Sequence, residues 1–163
     1  MQETHSAAAV ANTFLELARR EGHSLTNMQV QKLAFMSHGV HLAAFDSPLI
    51  HECPRAWTFG PVIPTLYESL RRYGSNTVTG TLEASDQVVT NSSAEKAINA
   101  TWEAYKGWTG AQLSKLSHVK GGPWDRVWNA PDGKGKFGYI PDAIIKDYYL
   151  ARVSLQPKAA VAC

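Results

Sequence analysis

Imidazole, carboxylate and thiolate groups gather in one stretch of the chain, at His38, His41, His51, Glu52 and Cys53. All three are zinc-ligand chemistries. The spacing argues against a site. His38 and His41 are three apart and share a face if that stretch is helical. His51, Glu52 and Cys53 are consecutive, and in extended chain alternate side chains leave on opposite sides. A nucleophilic pair of Cys53 with His118 is weaker still, because a lone cysteine most often serves as a small apolar side chain. Gly133, Gly135 and Gly138 spell the letters of a dinucleotide fingerprint, yet no strand leads into them and no helix N-terminus follows directly to hold a phosphate. Glu16, Glu21, Glu68, Glu95 and Glu103 fall at the spacing of solvated helix faces rather than as an acid–base pair. The expectation is no catalytic residue, no cofactor and no metal ligand.

Aromatic and proline residues are the unusual feature: Trp57, Phe59, Tyr67, Tyr73, Trp102, Trp108, Trp124 and Trp128, interleaved with Pro61, Pro64 and Pro123. Most of these rings are expected in the core, since a helical domain of this size needs large side chains to fill it. The remainder would line a surface for a partner, because interface centres are rich in Trp, Tyr and Phe. The candidates for that surface are Trp57 through Tyr67 and the Pro123–Trp124 turn.

The elements that carry these residues follow from periodicity and caps. Val10, Phe14 and Leu17 predict a first helix over about residues 6–20, with Arg19 and Arg20 at its negative end. Thr26 and Gln29 have capping-box spacing and open a second helix running to Phe45. Its apolar residues, Leu33, Ala34, Met36, Val40, Leu42, Ala43 and Ala44, surround most of its circumference, which marks a helix enclosed by others. Pro48 ends it. Residues 50–59 read as extended, and Pro61 and Pro64 as the first turn of a third helix bearing Val62, Leu66, Leu70 and Tyr73, stopped at Gly74. Residues 75–91 suit an irregular or hairpin segment. Capping-box patterns at Ser92–Glu95 and Thr109–Gln112 open two more helices, the first carrying Ile98, Trp102, Tyr105 and Trp108, the second Leu113 and Leu116. A short turn at 121–123 bears Trp124 and Trp128, and an exposed loop fills 129–138. Pro141 starts a last helix bearing Ile144, Ile145, Tyr148 and Tyr149. The fold class is therefore mainly α, a single compact multi-helix domain with a small β element over residues 1–153, followed by a flexible tail at 154–163.

Composition agrees. The 163 residues are 44% apolar and 18% charged, as in one globular domain. Sixteen basic against fourteen acidic residues give a net charge of +2, short of the concentrated charge that non-specific nucleic-acid binding needs. Two cysteines, Cys53 and Cys163, suit a reducing compartment. No signal-peptide pattern opens the chain and no apolar run of ~18 residues interrupts it, so a cytoplasmic protein with no membrane contact is expected.

Four motifs then carry a resemblance. Gln31-Lys32-Leu33-Ala34-Phe35-Met36-Ser37-His38-Gly39, Ser47-Pro48-Leu49, the run Ala56-Trp57-Thr58-Phe59-Gly60-Pro61-Val62-Ile63-Pro64-Thr65-Leu66-Tyr67, and Leu113 to His118 followed by Pro123-Trp124 occur in the order of the Panacea domain family. The sequence resembles these antitoxin SocA-like and phage-associated GepA-like proteins over about residues 7–150. It departs at Val30, where Leu is usual, at Ala34-Phe35, in place of Leu-Tyr, and at Ser117, in place of Thr. The resemblance implies a mainly helical domain without cofactor that neutralises a cognate toxin by direct contact. For the SocA-like branch it also implies an adaptor that delivers the toxin to the ClpXP protease. The motif positions carried over are Gln31, Lys32, Leu33, His38, Trp57, Gly60, Pro61, Val62, Pro64, Tyr67, His118, Pro123 and Trp124. Of these, Leu33, Val62 and Tyr67 read as packing. Gly60-Pro61 reads as the change from extended chain into helix. The polar Gln31, Lys32, His38 and His118 either pin the helices through a buried network or face the toxin. The apolar end, Ala159 to Cys163, suggests a protease-recognised terminus.

Overall fold

Helix α2 (Asn27–Phe45) is the axis of the molecule in a computed structural model that describes residues 4–154. Its start is the reciprocal capping box that the sequence predicts: Gln29 N–H donates to Thr26 Oγ1, and Thr26 N–H donates to Gln29 Oε1. Residues 30–39 are all buried, because α2 is packed on every side. Around it lie α1 (Ala7–Arg20), α3 (Pro64–Leu70), α4 (Ser93–Tyr105), α5 (Gly110–Ser117) and α7 (Asp142–Ser154). A sixth short helix, α6 (Pro123–Trp128), rests on α7. The approach of α7 is so close at Gly39 that a Cβ there would lie 2.4 Å from the Tyr149 ring. Burial pushes the Tyr149 hydroxyl far above its ordinary range.

The β element is one hairpin. Strand β1 (Arg55–Trp57) pairs antiparallel with β2 (Gly60–Val62), with Ala56 opposite Pro61 and Trp57 opposite Gly60. Pro61 is therefore a strand residue and not part of a helical first turn. Its position is a tolerant one. Ala56 spends its N–H and C=O on Gly138 and Phe137 of the following loop, so the Ala56–Pro61 pair exchanges no ladder bonds and the missing proline N–H costs none. The change into helix comes two residues later, at Ile63-Pro64, with Pro64 at the first helical turn.

Other elements deviate from the periodic reading for local reasons. The expected extended run at 50–59 is broken by a bend at 51–52 and by the hairpin turn at 58–59. Residues 75–91 form no strand; Asn12 clamps this stretch by donating to Leu82 C=O and accepting from Leu82 N–H, at 2.9 and 2.8 Å. At the start of α4, Ser92 Oγ accepts from Glu95 N–H, but Glu95 reaches back to Asn91 N–H and not to the cap residue. Trp108 lies beyond the end of α4, edge-on to Tyr105. The Pro123 turn is a helix, and Pro141 precedes α7, supplying the carbonyl that accepts from Ile144 and Ile145. Among the described residues no helix is long and apolar enough to cross a membrane. The predicted tail and the terminal Ala159–Cys163 signal lie outside the described residues, apart from Ser154.

Candidate functional site

Four side chains donate to the backbone of the β1–β2 hairpin and the residue after it, and three of them, Gln31, Lys32 and Trp124, are carried-over motif residues. Gln31, in the second turn of α2, accepts from Ile63 N–H at 3.1 Å and donates to Ile63 C=O at 3.3 Å, holding both backbone groups of one residue. Lys32 Nζ donates to Pro61 C=O at 3.1 Å. From α5, Ser114 donates to Phe59 C=O at 3.2 Å, and the ring of His118, just past the end of α5, lies beside the tip with Nε2 3.5 Å from Thr58 C=O. From α6, Trp124 Nε1–H donates to Trp57 C=O at 2.7 Å. These contacts suspend the hairpin from three helices, with its tip pointing outward.

Rings lock the same frame. The His118 ring packs 4.2 Å from Trp124, which stacks on Trp128 at 5.3 Å. His118 Nδ1–H donates to Ser114 C=O at 2.6 Å, so its free ring nitrogen is the one facing the hairpin. Gly60 sits where Lys32, Ser117 and His118 converge; its φ is +113°, and a Cβ would lie 2.7 Å from Ser117 Oγ and 3.0 Å from Lys32 Nζ. Only glycine fits there. Gly60 and Pro61 thus shape the hairpin rather than the helix entry.

Pro123 and Trp124 are buried, so that turn is internal support and not part of the outer face. The aromatic expectation is corrected more widely. Of the eight rings, only Trp102 and Trp124 are buried; Trp57, Tyr73 and Trp128 are half-buried, and Phe59, Tyr67 and Trp108 are exposed. Phe59, at the hairpin tip, is 69% exposed. Tyr67 stands on α3 edge-on to Trp57, at 5.3 Å, a rim position and not the packing one expected. Val62 and Leu33 are buried as expected.

Beside the hairpin tip opens a groove of about 720 Å³. Gln31 and Lys32 lie at its floor, and Trp57, Phe59, Val62 and Tyr67 along one side. Met28 and Phe137, both exposed, complete it. Met28 and Phe137 carry no sequence signal: an apolar residue in the first turn of a core helix, and one in a Gly-rich loop, look like packing and linker. Ser114 was the more legible omission, because it stands four residues before His118 on one helix face.

The histidines of α2 do different work. His38 Nδ1 accepts from Leu49 N–H at 3.2 Å and Ile50 N–H at 3.3 Å, which leaves Nε2–H to donate to Asp142 Oδ1 at 2.8 Å. His38 thereby ties the 49–50 chain and the start of α7 to α2. His41 donates from Nδ1 to Ser47 C=O and accepts at Nε2 from Ser93, and burial pushes its pKa down. His51 is exposed beside Glu52, and Cys53 is an exposed free thiol. Both nitrogens of His38 and His41 are therefore engaged, and among the described residues no cluster of three metal-ligating side chains forms.

Burial also acts on Lys32, whose pKa is pushed down to about 8. Lys32 is 2% exposed, and among the described residues its ammonium has one carbonyl partner and no acidic one.

Comparison with known proteins places these residues in context. The family described as "Antitoxin SocA-like, Panacea domain" matches residues 30–125, a span that includes every motif position above. The chain is also 30% identical over 153 residues to a curated protein, Antitoxin SocA of Caulobacter vibrioides (strain NA1000 / CB15N). That alignment covers 88% of this chain and 81% of the relative. No solved structure matches.

Proposed function

Since the chain belongs to the antitoxin SocA-like Panacea domain family, we propose that it is the antitoxin of a toxin–antitoxin pair and neutralises its toxin by laying the hairpin tip and the adjoining groove over it. The observation that carries this reading is the exposed Phe59 on a hairpin held by four side-chain donors. A large apolar ring displayed on a rigid support is the kind of anchor that dominates interface energetics. Pre-organisation matters as much as the ring, because a partner need not order the loop on binding. The role proposed is non-enzymatic: apolar, hydroxyl and amide side chains line the groove, with Lys32 the single charged one among the described residues.

Co-expression with the adjacent gene product tests it. The neighbour is expected to stop growth alone and to be tolerated with the wild-type chain. Phe59→Glu, which places a charge at the tip, is expected to abolish protection while leaving the melting temperature unchanged. A Phe59→Glu variant that protects fully would remove the tip from the toxin contact, and a harmless neighbour would remove the antitoxin reading for this pair. Protection by masking is stoichiometric; protection at a small fraction of the toxin's amount would instead favour delivery to a protease such as ClpXP.

A further inference from the structure

The floor of the groove holds a cation that no acidic side chain among the described residues neutralises. Lys32 Nζ has three N–H donors and gives one, to Pro61 C=O at 3.1 Å. Its side chain is buried, and among the groove-lining residues it is the only charged one. A buried ammonium without a counter-ion is costly, and its persistence beside an open groove is the signature of a site completed from outside.

We propose that the groove receives a segment of the toxin bearing one Asp or Glu side chain among apolar residues, the carboxylate seated on Lys32 Nζ and its apolar neighbours on Met28, Phe59 and Tyr67. This rests on the antitoxin reading and specifies the partner's chemistry. Charge selects the ligand. One ammonium, with no second cation in the groove, matches a single carboxylate; a phosphate would leave charge unpaired. Trp57, Phe59, Val62 and Phe137 line the same groove, and a toxin segment laid across them would exclude water from the pair, which strengthens it.

The test uses the full chain and the toxin it neutralises. Lys32→Met keeps the length of the side chain and removes its charge, and thermal melting checks its fold. Truncating one partner of a buried interfacial charge pair is expected to weaken toxin binding about thirtyfold or more. Each toxin Asp→Asn and Glu→Gln variant is then combined with Lys32→Met in a double-mutant cycle. One toxin carboxylate is expected to lose its effect in the Lys32→Met background. Undiminished binding by folded Lys32→Met overturns the proposal, as does a loss that couples to no acidic side chain. Coupling to the toxin's C-terminal carboxylate, revealed by extending that terminus, overturns the side-chain source.

A second measurement depends neither on the variant nor on the toxin. In the wild-type chain labelled with ¹³C at lysine Cε, N-acetyl-Leu-Glu-Phe-amide at millimolar concentration is expected to raise the Lys32 titration midpoint, and the Gln counterpart to leave it in place. Equal responses to both peptides, or none to either, refute the acidic seat even if toxin neutralisation holds.

Discussion

Lys32 and His41 are two buried bases whose depressed pKa values tilt stability the same way in different pH windows. In the folded chain Lys32 releases its proton near pH 8, whereas in the unfolded chain it holds it to about 10.4. Between these values the unfolded state binds more protons, so stability climbs with pH across that window and is lowest below it. Lys32→Met is expected to flatten that rise and to melt no lower than wild type at pH 7, which denaturant unfolding at a series of pH values would check. His41 works at the acid end. Its folded pKa is depressed by burial, so as pH falls through about 6.5 the unfolded chain takes up a proton that the folded chain refuses, and stability falls. His41→Gln should lessen that acid loss in the same measurement. At Trp124 the effect is packing. Trp124→Ala removes a buried ring and its bond to Trp57 C=O, and is expected to cost about 3–5 kcal/mol. Phe59→Ala, at the exposed tip, should stay within about 0.5 kcal/mol of wild type while weakening toxin binding.

At the level of elements, the hairpin and α7 are held in contrasting ways. Gly60→Ala forces a β-carbon against Ser117 Oγ and Lys32 Nζ at a backbone angle that alanine disfavours. The expected result is a loss of about 1–3 kcal/mol together with loss of amide protection in the hairpin, read by hydrogen exchange. Gly39→Ala instead pushes α7 away through Tyr149, and exchange should rise in α7 while the hairpin stays protected. Helix starts were legible in the sequence because a capping box is local: Thr26 with Gln29 and Thr109 with Gln112 satisfy each other within three residues. The enclosure of α2 was legible too, from apolar residues around its whole circumference. The hairpin was not. Its three-residue strands owe their conformation to Gln31, Lys32, Ser114 and Trp124, which lie far away in sequence, and Pro61 signals a helix start as readily as a tolerant strand position. The site residues were found through family motifs, yet their division into support and surface came only from packing: Trp124 points inward, Tyr67 outward.

For the whole molecule, the arrangement is a helical body in which two buried polar side chains of the central helix, Gln31 and Lys32, hold one short hairpin on display. The family assignment supports an antitoxin role, and the face proposed for that role has Phe59 at the tip, Tyr67 and Met28 on the rim and Lys32 below. The most direct test is hydrogen exchange of the chain with and without its bound toxin. New protection is expected at 57–62 and at the first turns of α2 and α3, with the outer faces of α1 and α4 unchanged. Protection confined to α1 and α4, with the hairpin exchanging as in the free chain, would contradict the account.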